Sequence, residues 1–216
     1  MNSIALYVEG GGDSAQQKAE LRQGFDALLK PQKQAAQKKR LGWKTIPCGG
    51  RQQTFNAFCH ALHTTGGDTL LILLVDAEEG IDPESPDDEI GNAQARVRHL
   101  QQQDRWDFSN IDPKRVHLMV RCMEAWLIAD PAALAAFYGK GFQLKSLPKR
   151  INLEDEPKKA LLEKLEKATR KTQKGEYHKI KHASKLLELI DPVEVEKRCP
   201  RFSTFTGWLS QSISEA

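Results

Sequence analysis

The sequence lacks the features that mark membrane and secreted proteins. Its apolar runs, such as Leu70 to Val75, are far shorter than the roughly 20 residues of a membrane span, and the amino terminus has no basic segment followed by a long apolar one. We therefore expect a cytoplasmic protein with no membrane partner. Its four cysteines are widely spaced and form no C-x-x-C pair, which predicts free, buried thiols.

Three common catalytic motifs are also missing. The glycine-rich segment Gly10 to Ser14 lacks the Lys-Ser/Thr that completes a phosphate-binding P-loop, and the second predicted strand does not end in the acid of a dinucleotide-binding fold. No G-x-S-x-G nucleophile elbow occurs either. These absences argue against P-loop nucleotidases, dinucleotide-dependent enzymes and hydrolases that use such an elbow.

The hydrophobic pattern predicts an α/β fold. Short apolar segments at Ile4–Val8, Trp43–Ile46, Thr69–Val75 and Arg115–Val120 have the length of strands, and segments with helical spacing alternate with them. This alternation favours a mostly parallel, Rossmann-like sheet with helices on both faces, in which Thr69–Val75 should lie mid-sheet. Helices are predicted at residues 15–29, ending before Pro31, at 54–63, at 93–102, and from Glu124 onwards.

The last third of the chain differs from the rest in pattern and charge. Strand-like segments stop after Gly139, which predicts an α/β domain at residues 1–139 and a basic, mainly helical extension at residues 140–216 packed on it. Residues 140–198 contain 16 Lys and Arg against 10 Asp and Glu, a net charge of +6, whereas the remainder carries −3. Such an excess is typical of phosphate-backbone binding, although solvated helix faces give the same pattern.

Acidic residues follow two of the predicted strands. Glu9 comes directly after the first strand, and Asp76 and Glu78 follow the third. Because ligands of parallel sheets bind beyond the carboxyl ends of the strands, we expect these carboxylates to converge there. Carboxylate oxygens suit Mg²⁺ or Mn²⁺, so the three residues are candidate metal ligands and catalytic residues. Alternatively, Glu9 lies at a helix amino terminus or forms a salt bridge.

Other acids are weaker candidates for this site. Glu124 follows the fourth strand and could add a metal ligand, or could cap its helix and anchor Trp126. The eight acids between Asp76 and Glu89 are interrupted by Pro83 and Pro86, and beyond Glu78 they predict a solvated loop.

Cationic residues provide candidates for phosphate contacts. Arg51, at a strand-to-helix turn, could bind a phosphate oxygen or pair with a carboxylate. The segment from Lys174 to His182 concentrates cations around one aromatic ring, although a helix with Lys and His facing water has the same composition. From this segment we assign Lys179 and His182 as catalytic candidates, and Lys174, His178 and Lys181, together with Arg51, as nucleic-acid-binding candidates.

The motif Tyr7-Val8-Glu9-Gly10, followed by Val75-Asp76-Ala77-Glu78, resembles the Toprim pattern of an early Glu and a later D-x-D. Toprim domains occur in topoisomerases, primases and overcoming-lysogenisation-defect nucleases. Over nearly its whole length the chain resembles an uncharacterised bacterial family of Toprim-like proteins, domain of unknown function 4276, often encoded beside ATPases. The shared segments are Val8-Glu9-Gly10, Glu124-Ala125-Trp126, and Tyr177 through His182 to Cys199-Pro200-x-Phe202. Glu78 departs from the motif, since it replaces the second Asp and thus puts the ion spacing in doubt.

The resemblance implies a Toprim-like fold and a metal-dependent nuclease that acts on DNA or RNA. It further implies an effector subunit that works with a partner ATPase in phage defence or DNA maintenance. The alternative is a non-catalytic binding subunit, in which the acids serve the structure and the carboxyl-terminal helices dock a partner. The oligomeric state is left open, with a homodimer as one alternative.

Overall fold

A sheet of four parallel strands forms the centre of the protein in the computed structural model, which describes residues 1–82, 84–85 and 88–216. The strands are β1 (Ser3–Val8), β2 (Gly42–Pro47), β3 (Thr69–Asp76) and β4 (Val116–Met119), in the spatial order β2-β1-β3-β4. All three neighbouring pairs are parallel. The predicted α/β class and the inner position of the third strand are confirmed, and the arrangement is consistent with a Rossmann-like fold.

Helices cover both faces of this sheet. The period of two along β3 separates the faces, because Leu71, Leu73 and Val75 share a core with residues of α3 and α4, whereas Ile72 and Leu74 belong to the core on the other face. The helices of the described residues are α1 (Ala15–Leu28), α2 (Lys30–Lys38), α3 (Arg51–Thr64), α4 (Glu89–Asp104), α5 (Glu124–Ala129), α6 (Pro131–Tyr138), α7 (Lys158–Thr169), α8 (Lys179–Leu189), α9 (Pro192–Arg198) and α10 (Pro200–Ser214).

The carboxyl-terminal helices share a core with the sheet. Trp126 on α5 lies between Phe25 of α1 and Phe202 of α10, with ring centroids 6.3 and 4.7 Å apart, respectively. Helix α8 packs so closely on α1 that a Cβ at Gly24 would lie 2.6 Å from the carbonyl oxygen of Ser184. The helical extension is therefore packed on the sheet; the boundary after residue 139 stays a prediction.

Some local predictions need correction. Pro31 does not follow the end of the helical region, because it lies in the first turn of the separate helix α2, where a missing N–H is tolerated. The four cysteines are free, but Cys48 and Cys59 are partly exposed rather than buried. Pro83, Pro86 and Asp87 of the predicted acidic loop lie outside the described residues. Among the described helices, none has the length and apolar character needed to cross a membrane.

Candidate metal centre

A tight turn places Glu9 at the carboxyl edge of the sheet. The backbone N–H of Glu9 still pairs with the carbonyl of Leu74, at 3.1 Å, and the chain then leaves the strand. Gly10 adopts a φ of +116°, which a side chain would oppose, and exchanges two backbone hydrogen bonds with Gly49. Glu9 is thus left beside the end of the neighbouring strand β3.

Three carboxylates converge at this edge. Glu9, Asp76 and Glu78 each offer one oxygen such that the three atoms lie within 4.8 Å of one another. Asp76, the last residue of β3, is 1% exposed. Glu78 follows with a φ of +65°, a left-handed conformation that is uncommon outside glycine. The predicted convergence of the acids after β1 and β3 is therefore present.

An arginine and one backbone N–H fix the position of the Glu9 carboxylate. Its Oε2 accepts hydrogen bonds from the backbone N–H of Asp76, at 3.1 Å, and from Nη1 of Arg51, at 3.2 Å. Arg51 also donates to the carbonyl of Asp76 and is held by both carboxylate oxygens of Asp104, each at 2.7 Å. Of the two roles considered for Arg51, the structure contains the carboxylate pairing.

Two lysines from the carboxyl-terminal helices neutralise the other acids. Asp76 accepts a hydrogen bond from the backbone N–H of Met123, at 2.9 Å, through Oδ1. Its Oδ2 lies 3.3 Å from Nζ of Lys179 and 3.9 Å from Nζ of Lys158. Lys158 also lies 2.5 Å from Oε2 of Glu78. The acids from the sheet therefore meet cations supplied by α7 and α8.

Burial makes negative charge costly here. Burial, and then repulsion from Asp76, raise the pKa of Glu9 to about 7, against the opposing effect of Arg51. Burial likewise raises the pKa of Asp76, which Lys179 opposes. For Lys179, burial lowers the pKa, but Asp76 and then Glu124 raise it above its ordinary value, so its ammonium stays charged. Such a cluster favours further cationic compensation.

Glu124 is a further buried acid, on the side of Lys179. It is 1% exposed, and its Oε1 accepts a hydrogen bond from the hydroxyl of Tyr177, at 3.0 Å, and lies 3.8 Å from Nζ of Lys179. Its Oε2 is buried without a hydrogen-bond partner among the described residues. An orphaned buried carboxylate oxygen is costly unless a cation or donor reaches it. Glu124 is not one of the three converging residues.

The donor set could hold a metal ion. It consists of carboxylate oxygens from three residues, which suit a hard divalent cation, and needs neither His nor Cys. The partly uncompensated Glu124 next to Lys179 is a second observation that agrees with an added cation.

Most of the predicted cationic segment lies away from these acids, with Lys179 as the exception. Nδ1 of His182 accepts the N–H of His178, at 3.1 Å, and lies 3.1 Å from the hydroxyl oxygen of Tyr138. Burial, then the neighbouring cations, lower the pKa of His182. Within the described part of the chain, its ring makes no hydrogen bond to the three acids. His178 and Lys181 are exposed, and Lys174 lies 4.8 Å from the ring centroid of Phe137.

Sequence reasoning missed two residues of the site and the burial of one acid outside it. Lys158 and Asp104 lie in ordinary helical segments, and neither has a local signal of its contact with the acids. Glu84 was expected in a solvated loop but is largely buried, with Oε1 2.5 Å from Nη1 of Arg96. Glu79, in contrast, is solvated as expected, with its side chain 77% exposed.

A cavity lies apart from Glu9, Asp76 and Glu78. It has a volume of about 510 Å³, and Arg96, His117, Glu154 and Arg201 are among the residues that line it. Its buried charges largely pair with each other, since Arg201 lies 3.8 Å from Glu154 and Arg96 contacts Glu84. None of Glu9, Asp76 and Glu78 lines this cavity, so its size does not bear on the metal centre.

Comparison with known proteins gives a family but no activity. No curated protein and no solved structure matches the chain significantly. A family model matches residues 8–210, a span that includes the converging carboxylates and all four strands except the first residues of β1. The chain therefore belongs to the family described as Domain of unknown function (DUF4276).

Proposed function

We propose that the protein is a divalent-metal-dependent nuclease of Toprim type that hydrolyses phosphodiester bonds in DNA or RNA, with Mg²⁺ or Mn²⁺ held by Glu9, Asp76 and Glu78. The observation that carries the proposal is the convergence of these three carboxylates within 4.8 Å at the carboxyl edge of a parallel sheet. This is where ligands of such sheets bind.

The sequence motif supports the same proposal. An early Glu after the first strand and an acidic pair after the third resemble the Toprim pattern, and both now have known positions at adjacent strand ends. Glu78 extends one methylene further than the Asp of that pattern, and its φ of +65° changes the path of the chain at this point. The resemblance also suggests a partner ATPase and a role in phage defence or DNA maintenance.

Different residues of the chain would orient the ligands of the ion and contact the phosphate groups. A bound divalent ion would supply Lewis acidity and a water of lowered pKa. Arg51 holds Glu9 through Nη1, and Met123 holds Asp76 through its backbone N–H, so two ligands are oriented before any ion binds. Lys179, charged and beside Asp76, provides positive charge for a phosphate. The exposed Lys181 and His178 would contact the nucleic-acid backbone.

The direct test is cleavage of plasmid DNA, single-stranded DNA and RNA by the purified protein with Mg²⁺, Mn²⁺ or EDTA. We expect metal-dependent cleavage that Glu9→Gln and Asp76→Asn each reduce by at least about a hundredfold, since loss of a residue that only orients a ligand already costs about 10–100-fold. Glu79→Gln is the matched control, because Glu79 is adjacent to Glu78 but 77% exposed. Equal cleavage by all three variants would contradict the metal-site assignment.

A second candidate is a non-catalytic binding subunit. The observation that favours it is the compensation of the acids by the chain's own cations, since Arg51, Lys158 and Lys179 pair with Glu9, Glu78 and Asp76, respectively. Such an arrangement can serve as structural pairing between the sheet and the extension. The carboxyl-terminal helices would then dock a partner protein.

Thermal unfolding with increasing Mn²⁺ separates the two candidates. An ion that binds only the folded state raises the melting temperature with its concentration. A shift that Glu9→Gln abolishes supports the nuclease. No shift, together with no cleavage of any substrate, supports the binding subunit.

A further inference from the structure

Lys158 places an ammonium group among the proposed metal ligands. It is the first residue of α7, and its Nζ lies 2.5 Å from Oε2 of Glu78 and 3.9 Å from Oδ2 of Asp76. Glu78 and Asp76 are two of the three residues whose oxygens converge. A monovalent cation of the chain itself therefore lies against two of the three carboxylates.

This position conflicts with a divalent ion on the same carboxylates. Mg²⁺ requires oxygen ligands at about 2.0–2.1 Å, so an ion bound to Asp76 and Glu78 would lie within a few ångströms of the Lys158 ammonium. Two cations at such a separation repel strongly in a partly buried site. The metal and the Lys158 ammonium thus compete for the same negative charge.

Lys179 differs from Lys158 in this respect. Its Nζ lies 3.3 Å from Asp76, but also 3.8 Å from Glu124, whose Oε1 is fixed by Tyr177. Glu124 lies outside the three converging residues and would remain as a partner for Lys179. The nearest acidic partner of Lys158 is Glu78 itself, so Lys158 has to leave when Glu78 binds an ion.

We propose that Lys158 is an internal occupant of the cation position between Asp76 and Glu78, and that a divalent ion must displace its ammonium group in order to bind there. The proposal rests on the metal site proposed above and adds a regulatory element to it. The affinity for metal is set by exchange with a lysine of the carboxyl-terminal extension rather than by the three carboxylates alone. The side chain of Lys158 is 27% exposed, which leaves a path towards solvent.

The first test measures Mn²⁺ affinity from the electron paramagnetic resonance signal of the free ion, without nucleic acid. Lys158→Met should tighten the Kd at least about fivefold, within the usual range of coupling between two sites. Lys159→Met is the matched control, since Lys159 carries the same charge one residue away but is 88% exposed and pairs with Glu163. This control should change the Kd by less than about twofold, because exposed charges are screened.

The second test uses the unchanged protein. Brief acetylation with an N-hydroxysuccinimide ester, read by mass spectrometry, reports whether a lysine amine is free. Adding Mg²⁺ should increase the modification of Lys158 and leave that of Lys159 unchanged.

The outcomes separate this inference from the proposed function. If the protein binds Mn²⁺ and Glu9→Gln abolishes binding, but Lys158→Met binds no tighter and Lys158 acetylation does not change, the displacement is wrong and the metal site stands. If neither the unchanged protein nor Lys158→Met binds Mn²⁺, the proposed function fails, and the displacement fails with it.

Discussion

Oε2 of Glu9, at the end of β1, accepts a hydrogen bond from the backbone N–H of Asp76, at the end of β3, over 3.1 Å. One candidate ligand is thus positioned by the main chain of another. The same oxygen contacts Arg51, which Asp104 holds with two hydrogen bonds. The geometry of the acidic group therefore depends on residues that touch no ion.

Asp104→Asn should weaken metal binding without removing a ligand. The change takes away the charge that orients Arg51, and Arg51 positions Glu9, so we expect the Kd for Mn²⁺ to rise about tenfold, as for other residues that orient ligands. Asp107→Asn is the control, because Asp107 is exposed and its carboxylate accepts the backbone N–H of Ser109 rather than contacting Arg51. An unchanged Kd for Asp104→Asn would show that Glu9 does not depend on this pair.

Gly24→Ala should destabilise the protein, although alanine favours helices. An added Cβ would lie 2.6 Å from the Ser184 carbonyl oxygen, so α1 and α8 must separate, at a cost of about 1–3 kcal/mol in the free energy of unfolding. Gly207→Ala on α10 meets nothing within 4 Å and should instead stabilise by about 0.5–1 kcal/mol. Urea unfolding of both variants is the measurement, and similar effects of the two changes would contradict the close packing of α8.

Glu154 should make stability fall with rising pH. Burial raises its pKa from 4.5 to about 7, against the opposing effects of the Arg201 backbone N–H and guanidinium. A raised pKa in the folded state gives stability that is fully present below the unfolded pKa and is lost as pH rises through about 7. Because of Glu154, the free energy of unfolding should fall by about 2–3 kcal/mol between pH 4.5 and pH 8, and Glu154→Gln should abolish this fall.

The measurement for Glu154 is urea unfolding at several pH values. Asp155→Asn is the comparison, since Asp155 is the exposed neighbour and its charge is the smallest of the named effects on the pKa of Glu154, so its loss should change the pH profile much less than Glu154→Gln does. Parallel profiles for the unchanged protein and Glu154→Gln would mean that Glu154 is ionised in the fold at lower pH than its burial implies.

Lys181→Gln should weaken nucleic-acid binding in a salt-dependent way. Lys181 is exposed next to Lys179, so a phosphate contact there would release counterions. We expect the slope of log K against log salt concentration to fall by about 1 in magnitude. The measurement is fluorescence anisotropy with a labelled DNA or RNA strand. Lys44→Gln on β2 is the control, and an equal loss for both changes would indicate general charge attraction rather than a binding surface.

The predictable parts of the site are those that follow from the local sequence pattern of strands and the residues after them. Glu9 and Asp76 directly follow buried apolar strands, and parallel strands bring their carboxyl ends to one edge, so their approach follows from the order of the elements. The inner position of β3 followed from a different pattern, the unbroken hydrophobicity of Thr69–Val75. A local contact also begins α1, because the Ser14 side chain accepts the N–H of Gln17.

The remainder depended on distant side chains. Lys158 meets Glu78 across 80 residues, and Asp104 meets Arg51 across 53, so only the packing of α7 and α4 on the sheet selects them from many similar Lys and Asp residues. His182 shows the reverse. The cation-rich segment around it predicted a catalytic role, but the first turn of α8 directs its Nδ1 to the His178 N–H and the Tyr138 hydroxyl.

The inner position of β1 has a consequence for the synthesis of the protein. β1 leaves the ribosome before β2 and β3, with both of which it pairs, and α1 buries Phe25 in a core that also contains Leu186 and Leu187 of α8. At about 5–20 residues per second, α8 emerges on the order of ten seconds after α1. During that interval the apolar face of α1 lacks the side chains of α8 that cover it in the folded protein.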